Sequence, residues 1–250
     1  MKKAILVVSF GTSHLVQKAE SIDPCIEAIK KAFKEWDVYE TFSSGFLRKK
    51  LKAEQGLALL SPEEWMAQLQ EAGYEKVIIQ PLFLIEGIEY DKLIELARGY
   101  KDRLEVQVGN TLLSRKEDYR TLVEELVAEY SGKRTQLLVL GHGSSHEAHV
   151  SYKRLQEVLD EVGLRAYVTT LEDRDAIDTL PFQKGQVTLI PFMLVAGNHI
   201  LKDVLGEEDH SWMSGLTKLG YEVDVVQKGL GSYESTRRIY ISHIQRLLEG

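Results

Sequence analysis

Short apolar runs alternate with helical patterns along the whole chain. Residues 4–10 form a continuous apolar run, which is typical of a strand covered on both faces. The apolar residues that follow recur every three or four positions and predict the buried face of a helix: Ile22, Cys25, Ile26, Ile29 and Phe33. Two capping boxes, Ser61-Pro62-Glu63-Glu64 and Ser114-Arg115-Lys116-Glu117, predict the starts of two further helices.

The same alternation continues to the end of the chain. The predicted strands cover residues 4–10, 37–42, 77–84 and 104–108 in the first half, and residues 136–140, 166–170, 186–192 and 222–226 in the second. Strands that alternate with helices imply parallel sheets with right-handed crossovers. We therefore predict an α/β fold of two similar doubly wound parallel-sheet domains with a cleft between them. Ligands of such sheets bind beyond the carboxyl ends of the strands.

The polar stretch Ser131-Gly132-Lys133-Arg134-Thr135 is the predicted domain boundary. It places an N-terminal α/β domain at residues 1–131 and a C-terminal α/β domain, with the candidate metal site, at residues 132–250. From the second domain, the last helix can return to pack on the first domain.

The two halves also resemble each other in sequence. Residues 8–14 align with residues 140–146, and residues 77–87 align with residues 187–197. Two aligned segments in the same order indicate a duplicated unit. At the paired positions one pair differs in chemistry, because Phe10 of the first half corresponds to His142 of the second.

A second difference of the same kind places Glu89 opposite His199. A single loop histidine is most often exposed or bonded to backbone, but two at equivalent strand ends favour a shared site. Glu172 follows the strand at residues 166–170 on the same side, with Asp173 as the competing carboxylate. Two imidazoles and a carboxylate suit a borderline divalent ion such as cobalt, nickel, iron or zinc.

Composition and charge narrow the function classes. The chain has 31 Lys and Arg against 38 Asp and Glu, and this acidic balance argues against a general nucleic-acid binder. A single cysteine, Cys25, excludes an intrachain disulfide and a cysteine-based zinc site. No apolar run reaches the roughly 18 residues of a membrane span. We expect a cytoplasmic protein with no nucleic-acid or membrane partner, and a homo-oligomer is compatible with the sequence.

Three motifs occur in order along the chain: Val7-Val8-Ser9-Phe10-Gly11-Thr12-Ser13, Gly141-His142-Gly143 and Pro191-Phe192-Met193-Leu194-Val195-Ala196-Gly197-Asn198-His199. They resemble the motifs of class II tetrapyrrole chelatases. The resemblance covers essentially the whole chain. It is closest to the anaerobic cobalt chelatases of cobalamin synthesis, which insert Co²⁺ into sirohydrochlorin.

This resemblance implies a metal-inserting enzyme. His142, His199 and Glu172 would bind the metal, and the two histidines would accept pyrrole protons. No permanently bound cofactor is expected, since Co²⁺ enters as a substrate metal. The alternatives are a ferrochelatase acting on sirohydrochlorin or a porphyrin, and a non-catalytic tetrapyrrole- or metal-binding protein.

Residues of the first half are expected to bind the tetrapyrrole: Phe10, Gly11, Thr12, Ser13, Leu84, Glu89 and Arg48. Phe10 and Leu84 would form an apolar floor, and the N–H groups near Gly11 would face substrate carboxylates. Arg48 opens a basic run at residues 48–52, which is either a solvated helix face or a set of contacts to the acidic side chains of sirohydrochlorin.

Overall fold

The computed structural model describes residues 2–197, 203–206 and 211–249. The chain divides into two compact units, the first comprising Met1–Ser114 and Gly231–Gly250 and the second comprising Arg115–Leu230. Across the described ranges, no helix combines the length and the apolarity that crossing a bilayer requires.

The described part of the first unit holds a four-stranded parallel sheet in the order β2-β1-β3-β4. Its strands are β1 (Lys3–Ser9), β2 (Asp37–Phe42), β3 (Lys76–Pro81) and β4 (Glu105–Val108). Its helices are α1 (Leu15–Gln17), α2 (Asp23–Ala32), α3 (Gly45–Gln55), α4 (Pro62–Glu71), α5 (Ile88–Arg98) and, at the end of the chain, α9 (Glu234–Glu249). A π-helical segment, Lys18–Ile22, joins α1 to α2.

The second unit repeats this architecture in its described residues, with a four-stranded parallel sheet in the order β6-β5-β7-β8. Its strands are β5 (Gln136–Gly141), β6 (Ala166–Thr170), β7 (Gln186–Pro191) and β8 (Glu222–Val225). Its helices are α6 (Lys116–Tyr130), α7 (Val150–Glu161) and α8 (Trp212–Lys218), with short 3₁₀ segments at Glu147–His149 and Arg174–Thr179. A further 3₁₀ segment, Leu230–Ser232, precedes α9.

The apolar runs form the central strands, as the sequence pattern predicts. Ile5 in β1 is fully buried and pairs with Val38 on one side and Ile78 on the other. Leu138 in β5 is also fully buried and pairs with Leu189 of β7. A strand that is covered on both faces exposes neither side to water, so it needs no alternation of apolar and polar residues. This explains why both runs are continuous in sequence. The predicted α/β fold of two parallel sheets is confirmed.

The two predicted capping boxes have different outcomes. At α4, Ser61 Oγ accepts the Glu64 N–H at 3.1 Å, and the Glu64 carboxylate accepts the Ser61 N–H, as predicted. At α6, however, the N-cap is Arg115, whose N–H donates to Asp118 Oδ2 at 2.9 Å. The predicted cap, Ser114, is wrong by one residue because its hydroxyl donates to the carbonyl of Thr111 at 2.8 Å instead.

Equivalent hydrogen bonds at equivalent strand ends support the interpretation of a duplicated unit. The Leu82 N–H donates to the Val8 carbonyl at 2.7 Å, and the Phe192 N–H donates to the Leu140 carbonyl at 2.8 Å. Each bond joins the first residue after the third strand of a unit to the central strand. The two segments that align in sequence therefore have the same backbone connections.

The division of the chain differs from the predicted boundary at residues 131–135. Helix α6 packs against α7, so the second unit begins at Arg115, before that polar stretch. The physical reason is that α6 buries its apolar face, including Leu122 and Val123, within the second unit. The final helix, α9, packs against α2 and belongs to the first unit.

Candidate functional site

Two of the three predicted metal ligands follow neighbouring strands of the second sheet. His142 comes directly after β5, and Glu172 comes shortly after β6. The strands lie side by side, with Gly141 opposite Thr170 in register. Because parallel strands end at the same edge, both residues leave the sheet on its ligand-binding side. Both are exposed.

The Glu172 side chain packs directly against the backbone beside His142. A Cβ atom at Gly143 would lie 2.8 Å from both Cδ and Oε2 of Glu172. Gly143 also has a φ of +97°, a conformation that residues with a side chain rarely adopt. The positive φ favours glycine here, and its bare backbone lets the carboxylate lie next to the His142–Gly143 segment.

Tyr152, in the first turn of α7, lies against the same segment. A Cβ atom at Gly141 would lie 2.3 Å from Tyr152 Cε1, so the ring rests on bare backbone. The N–H groups of His142 and Gly143 hydrogen-bond to the Tyr152 hydroxyl. Burial raises the pKa of Tyr152 above its ordinary value, the two N–H groups oppose that shift, and the charge of Glu172 adds to it. The phenol therefore stays protonated at neutral pH.

Sequence reasoning missed Tyr152 and its neighbour His149. The two rings form an edge contact, with centroids 5.3 Å apart and planes at 66°. An aromatic residue in a helical pattern usually indicates core packing, so nothing marked Tyr152 as part of a site. The available signal was Gly141, because a glycine that ends an apolar strand often marks a close approach by another group.

Glu172 fits the site better than its competitor Asp173. Asp173 is the N-cap of the 3₁₀ segment Arg174–Thr179, and its carbonyl accepts the Ala176 N–H at 3.3 Å. The three atoms nearest to a Cβ built on Gly143 all belong to Glu172. Of the two carboxylates, Glu172 is therefore the one packed beside His142.

The third predicted ligand, His199, lies outside the described residues, as does Asn198. The chain that leads toward it leaves β7 at Pro191, on the same edge of the sheet as His142. Within the three described ranges, no group of three or more His, Cys, Asp or Glu residues is arranged to hold a metal ion.

The loop after Gly143 is held by its own side chains. Ser144 Oγ accepts the His146 N–H at 3.1 Å, and His146 Nδ1 accepts the Ala148 N–H at 3.1 Å. The first unit has the same turn, because Thr12 Oγ1 accepts the His14 N–H at 3.1 Å. The His146 ring thus caps the segment that leads into α7.

The corresponding edge of the first unit has different chemistry. Phe10, at the position equivalent to His142, is 53% exposed. Gly11 has a φ of +103°, and a Cβ atom there would collide with the Phe42 ring. An aromatic ring therefore lies beside Gly11, where a carboxylate lies beside Gly143.

The neighbouring candidates for substrate binding are buried in their own loop. Thr12 and Ser13 are both largely inaccessible. Gln55, at the end of α3, donates from Nε2 to the Ser13 carbonyl at 3.1 Å. At the start of α3, the Ser44 N–H donates to the Phe10 carbonyl at 3.3 Å, so α3 is tied to this loop at both ends.

Arg48 has local backbone partners in the structure. Its Nη1 donates to the Ser43 carbonyl at 2.9 Å and also to the Phe42 carbonyl, at the end of β2. These bonds hold the turn between β2 and α3. Lys49, the next residue of the basic run, is exposed.

The remaining two predicted substrate-binding residues follow β3. Glu89 forms an ion pair with Lys92 in the first turn of α5. Leu84 is half-buried, and its carbonyl accepts the Leu113 N–H at 2.8 Å. The Glu89 contact is local, whereas the Leu84 bond reaches a loop that is distant in sequence. Neither residue is fully buried, so each keeps some exposed surface for the proposed substrate contact.

Comparisons with known proteins give consistent matches over nearly the whole chain. The family model described as "Cobalt chelatase (CbiK)" matches residues 3–249. The sirohydrochlorin cobaltochelatase of Salmonella typhimurium is 31% identical over 258 residues, covering 99% of this chain and 97% of the relative. The sirohydrochlorin cobaltochelatase CbiKC of Nitratidesulfovibrio vulgaris is 28% identical over 257 residues, covering 97% and 89%.

Solved structures of chelatases share the fold. The sirohydrochlorin chelatase SirB from Bacillus subtilis subspecies spizizenii, in complex with cobalt, has a TM-score of 0.66 at 12% identity, covering 100% of this chain and 96% of that one. CbiX, described as the terminal enzyme of sirohaem biosynthesis in denitrifying bacteria, has a TM-score of 0.59 at 15% identity, covering 97% and 98%. At these identities the likeness concerns the fold alone.

Proposed function

The chain belongs to the cobalt chelatase family, and from this premise we propose that it inserts Co²⁺ into sirohydrochlorin. Two relatives named sirohydrochlorin cobaltochelatase match it over nearly its whole length. The proposal needs no resident cofactor, because insertion exchanges two pyrrole protons for one Co²⁺ without a change of oxidation state. We retain a cytoplasmic location as part of this proposal.

One contact carries the assignment of the metal site to the second unit. The Glu172 carboxyl group packs against the backbone of Gly143, next to His142, at the ends of two adjacent strands. Imidazole and carboxylate groups are suitable ligands for cobalt and other borderline divalent ions. We propose His142 and Glu172 as two ligands, with His199 as the third on the grounds of sequence.

The proposed roles follow from the chemistry of these groups. A neutral imidazole can bind the entering ion or accept a proton near neutral pH, which suits His142 for both tasks. Glu172 adds a negative charge that favours a divalent ion and can relay a proton. Both side chains are exposed, so they can meet a metal and a substrate that arrive from solvent.

The first unit offers an apolar edge for the ring of the substrate. Large exposed apolar residues follow three of its strands: Phe10 after β1, Phe46 after β2 and Ile88 after β3. Lys49 lies one turn along α3 from Phe46, on the same helix face. We propose that this edge contacts the flat macrocycle and that Lys49 contacts its carboxylates, a pairing that matches an acidic tetrapyrrole.

The experiment that tests this function is an anaerobic insertion assay read from the visible spectrum of sirohydrochlorin. Wild-type protein with Co²⁺ should accelerate insertion well above the uncatalysed rate. H142A should lose more than about 100-fold in kcat/KM, because removing a ligand costs more than removing its hydrogen-bond partners. E172Q should lose less, since the amide keeps the shape of the side chain and loses only its charge.

The matched control is D173N, which removes the neighbouring carboxylate while leaving Glu172 in place. It should insert Co²⁺ at close to the wild-type rate. Near-native turnover in folded H142A, or a larger loss in D173N than in E172Q, would contradict the ligand assignment. Faster insertion of Fe²⁺ than Co²⁺ would make the protein a ferrochelatase, and binding without acceleration would make it a carrier.

A further inference from the structure

We propose that Tyr152 is a positioning residue of the metal centre, whose hydroxyl holds the His142–Gly143 backbone at the sheet edge. The inference rests on the proposed function, since it assigns a role within the same site. It concerns a residue that contacts the ligand-bearing segment rather than the reacting atoms.

The Tyr152 ring fits closely on the end of β5. A Cβ atom at Gly141 would lie 2.3 Å from Cε1, 2.8 Å from Cζ and 3.0 Å from Cδ1 of Tyr152. Tyr152 is only 6% exposed. The ring thus occupies the space that a side chain would fill at the residue before His142, and this contact fixes where the hydroxyl lies.

The two backbone donors lie just beyond the paired part of β5. The N–H groups of His142 and Gly143 come just after Gly141, the last residue of β5 in register with β6. Backbone donors that leave a sheet ladder must find another acceptor, either a side chain or water. Both of them hydrogen-bond to the single hydroxyl oxygen of Tyr152, which ties two consecutive peptide units to α7.

Glu172 packs against the same segment. The carboxyl group lies against Gly143, while the phenol lies against Gly141 and bonds to the peptides between. A shift of this backbone would move His142 relative to Glu172. Metal ligands must be held within roughly 0.5 Å of their working geometry, so a shift of this kind weakens binding.

The first unit does not have this support at the equivalent place. The residue that aligns with Gly141 is Ser9, and its Oγ is buried without a hydrogen-bond partner among the described residues. Ser9 carries a side chain where Gly141 has bare backbone. The hydrogen-bonded tyrosine is thus found at the strand end that carries His142, and not at the equivalent described strand end that carries Phe10.

The test compares Y152F with Y221F in the full-length protein. Tyr221 is a matched control in the same unit, because it is 8% exposed and its hydroxyl donates to the Phe182 carbonyl at 3.4 Å. Each substitution removes one hydroxyl and keeps the ring. The measurements are the affinity for Co²⁺ alone by calorimetry, the visible absorption of bound Co²⁺, and kcat and KM for sirohydrochlorin.

We expect Y152F to bind Co²⁺ about 10-fold more weakly than wild type, the usual cost of losing a group that orients a metal ligand. The Co²⁺ absorption should change, and kcat should fall with little change in KM for sirohydrochlorin. Y221F should match the wild type in all of these, even where both variants lose similar thermal stability. G141A, which keeps the hydroxyl but displaces the ring, should weaken Co²⁺ binding at least as much as Y152F.

The inference is overturned if Y152F has a lower Tm but binds Co²⁺ with wild-type affinity and an unchanged spectrum, because Tyr152 would then act on stability alone. It is also overturned if Y221F loses as much affinity as Y152F. A different result would overturn the proposed function itself, namely wild-type protein that neither binds Co²⁺ nor accelerates insertion.

Discussion

The loops after β1 and β5 have the same backbone turn but carry different chemistry. Each contains a glycine at positive φ, +103° at Gly11 and +97° at Gly143, and in each a hydroxyl accepts the N–H two residues further on. The Phe42 ring fills the space beside Gly11, whereas the Glu172 carboxyl group fills the space beside Gly143. The turn is therefore common to both units, and the side chain that packs on the glycine differs.

Two units that share this turn can therefore carry different chemistry. The turn aims the residue before the glycine out of the sheet edge, and that residue is Phe10 in one unit and His142 in the other. The chemistry then depends on which side chains surround it, since function resides in sites placed on a fold rather than in the fold. In our account the first edge contacts an apolar ring and the second binds the ion.

Among the variants that compare the two edges, those that add a methyl group to each glycine have the largest expected effect. G143A should push the Glu172 carboxyl group away and weaken Co²⁺ binding by about 10- to 100-fold, the range found when groups that orient metal ligands are disturbed. G11A should bind Co²⁺ normally. It should lose about 1–3 kcal/mol of unfolding free energy from backbone strain, and the collision of its new Cβ with the buried Phe42 ring should add to that loss. Calorimetry and thermal melts check both.

The control for strain alone is G132A. Gly132 has a φ of +83°, and a Cβ there would meet no atom within 4 Å among the described residues. It should lose stability without any loss of Co²⁺ affinity. Equal losses of affinity in G11A and G143A would remove the distinction between the two edges.

A smaller effect is expected from substituting, one at a time, the two cationic residues that begin the basic run. K49Q should raise KM for sirohydrochlorin several-fold with little change in kcat, because the lost contact binds substrate and transition state equally. Added salt should weaken substrate binding by the wild type more than by K49Q.

R48Q should instead lower the free energy of unfolding by roughly 1.5–3 kcal/mol, because the Arg48 guanidinium bonds to the carbonyls of Ser43 and Phe42. Steady-state kinetics with thermal melts separate the two outcomes. If R48Q raised KM more than K49Q at unchanged stability, Arg48 rather than Lys49 would be the residue that contacts the substrate.

The smallest expected effect is that of F10H, which places an imidazole at the position equivalent to His142. The first edge has Phe42 rather than a carboxylate beside the glycine, so one imidazole should not create a second Co²⁺ site. The number of ions bound per chain should stay the same as in wild type. A second site of comparable affinity in F10H would show that the two edges differ by one residue only.

Much of the fold could be predicted because its signals are local. The apolar run at residues 4–10 becomes β1 (Lys3–Ser9), since a strand buried on both faces needs no polar alternation. The helix start at Ser61 is equally local, as donor and acceptor lie within one turn. The N-cap of α6 is one residue later than the pattern predicts, because the Ser114 hydroxyl donates to the Thr111 carbonyl outside the helix. A helix-start pattern contains no information about this competing bond.

The site could be predicted only in part. The motif around His142 and the position of Glu172 after its strand indicated candidate ligands, and the structure brings both to one edge of the sheet. The proposed role of Tyr152 could not be predicted, because it depends on which helix residue reaches the end of β5. Arg48 is a second example. The basic run was compatible with a solvated helix face or with substrate contacts, and the pattern did not indicate the backbone carbonyls to which the guanidinium donates.

The central claim is that each chain has one metal site, built by the second unit around His142 and Glu172. Calorimetric titration of metal-free protein with Co²⁺ tests it most directly, using wild type, H142A, E172Q and F10A. The account predicts one principal site per chain in wild type, its loss in H142A, weaker binding in E172Q and unchanged binding in F10A. Two equally tight sites in wild type, or a site that survives H142A at wild-type affinity, would contradict it.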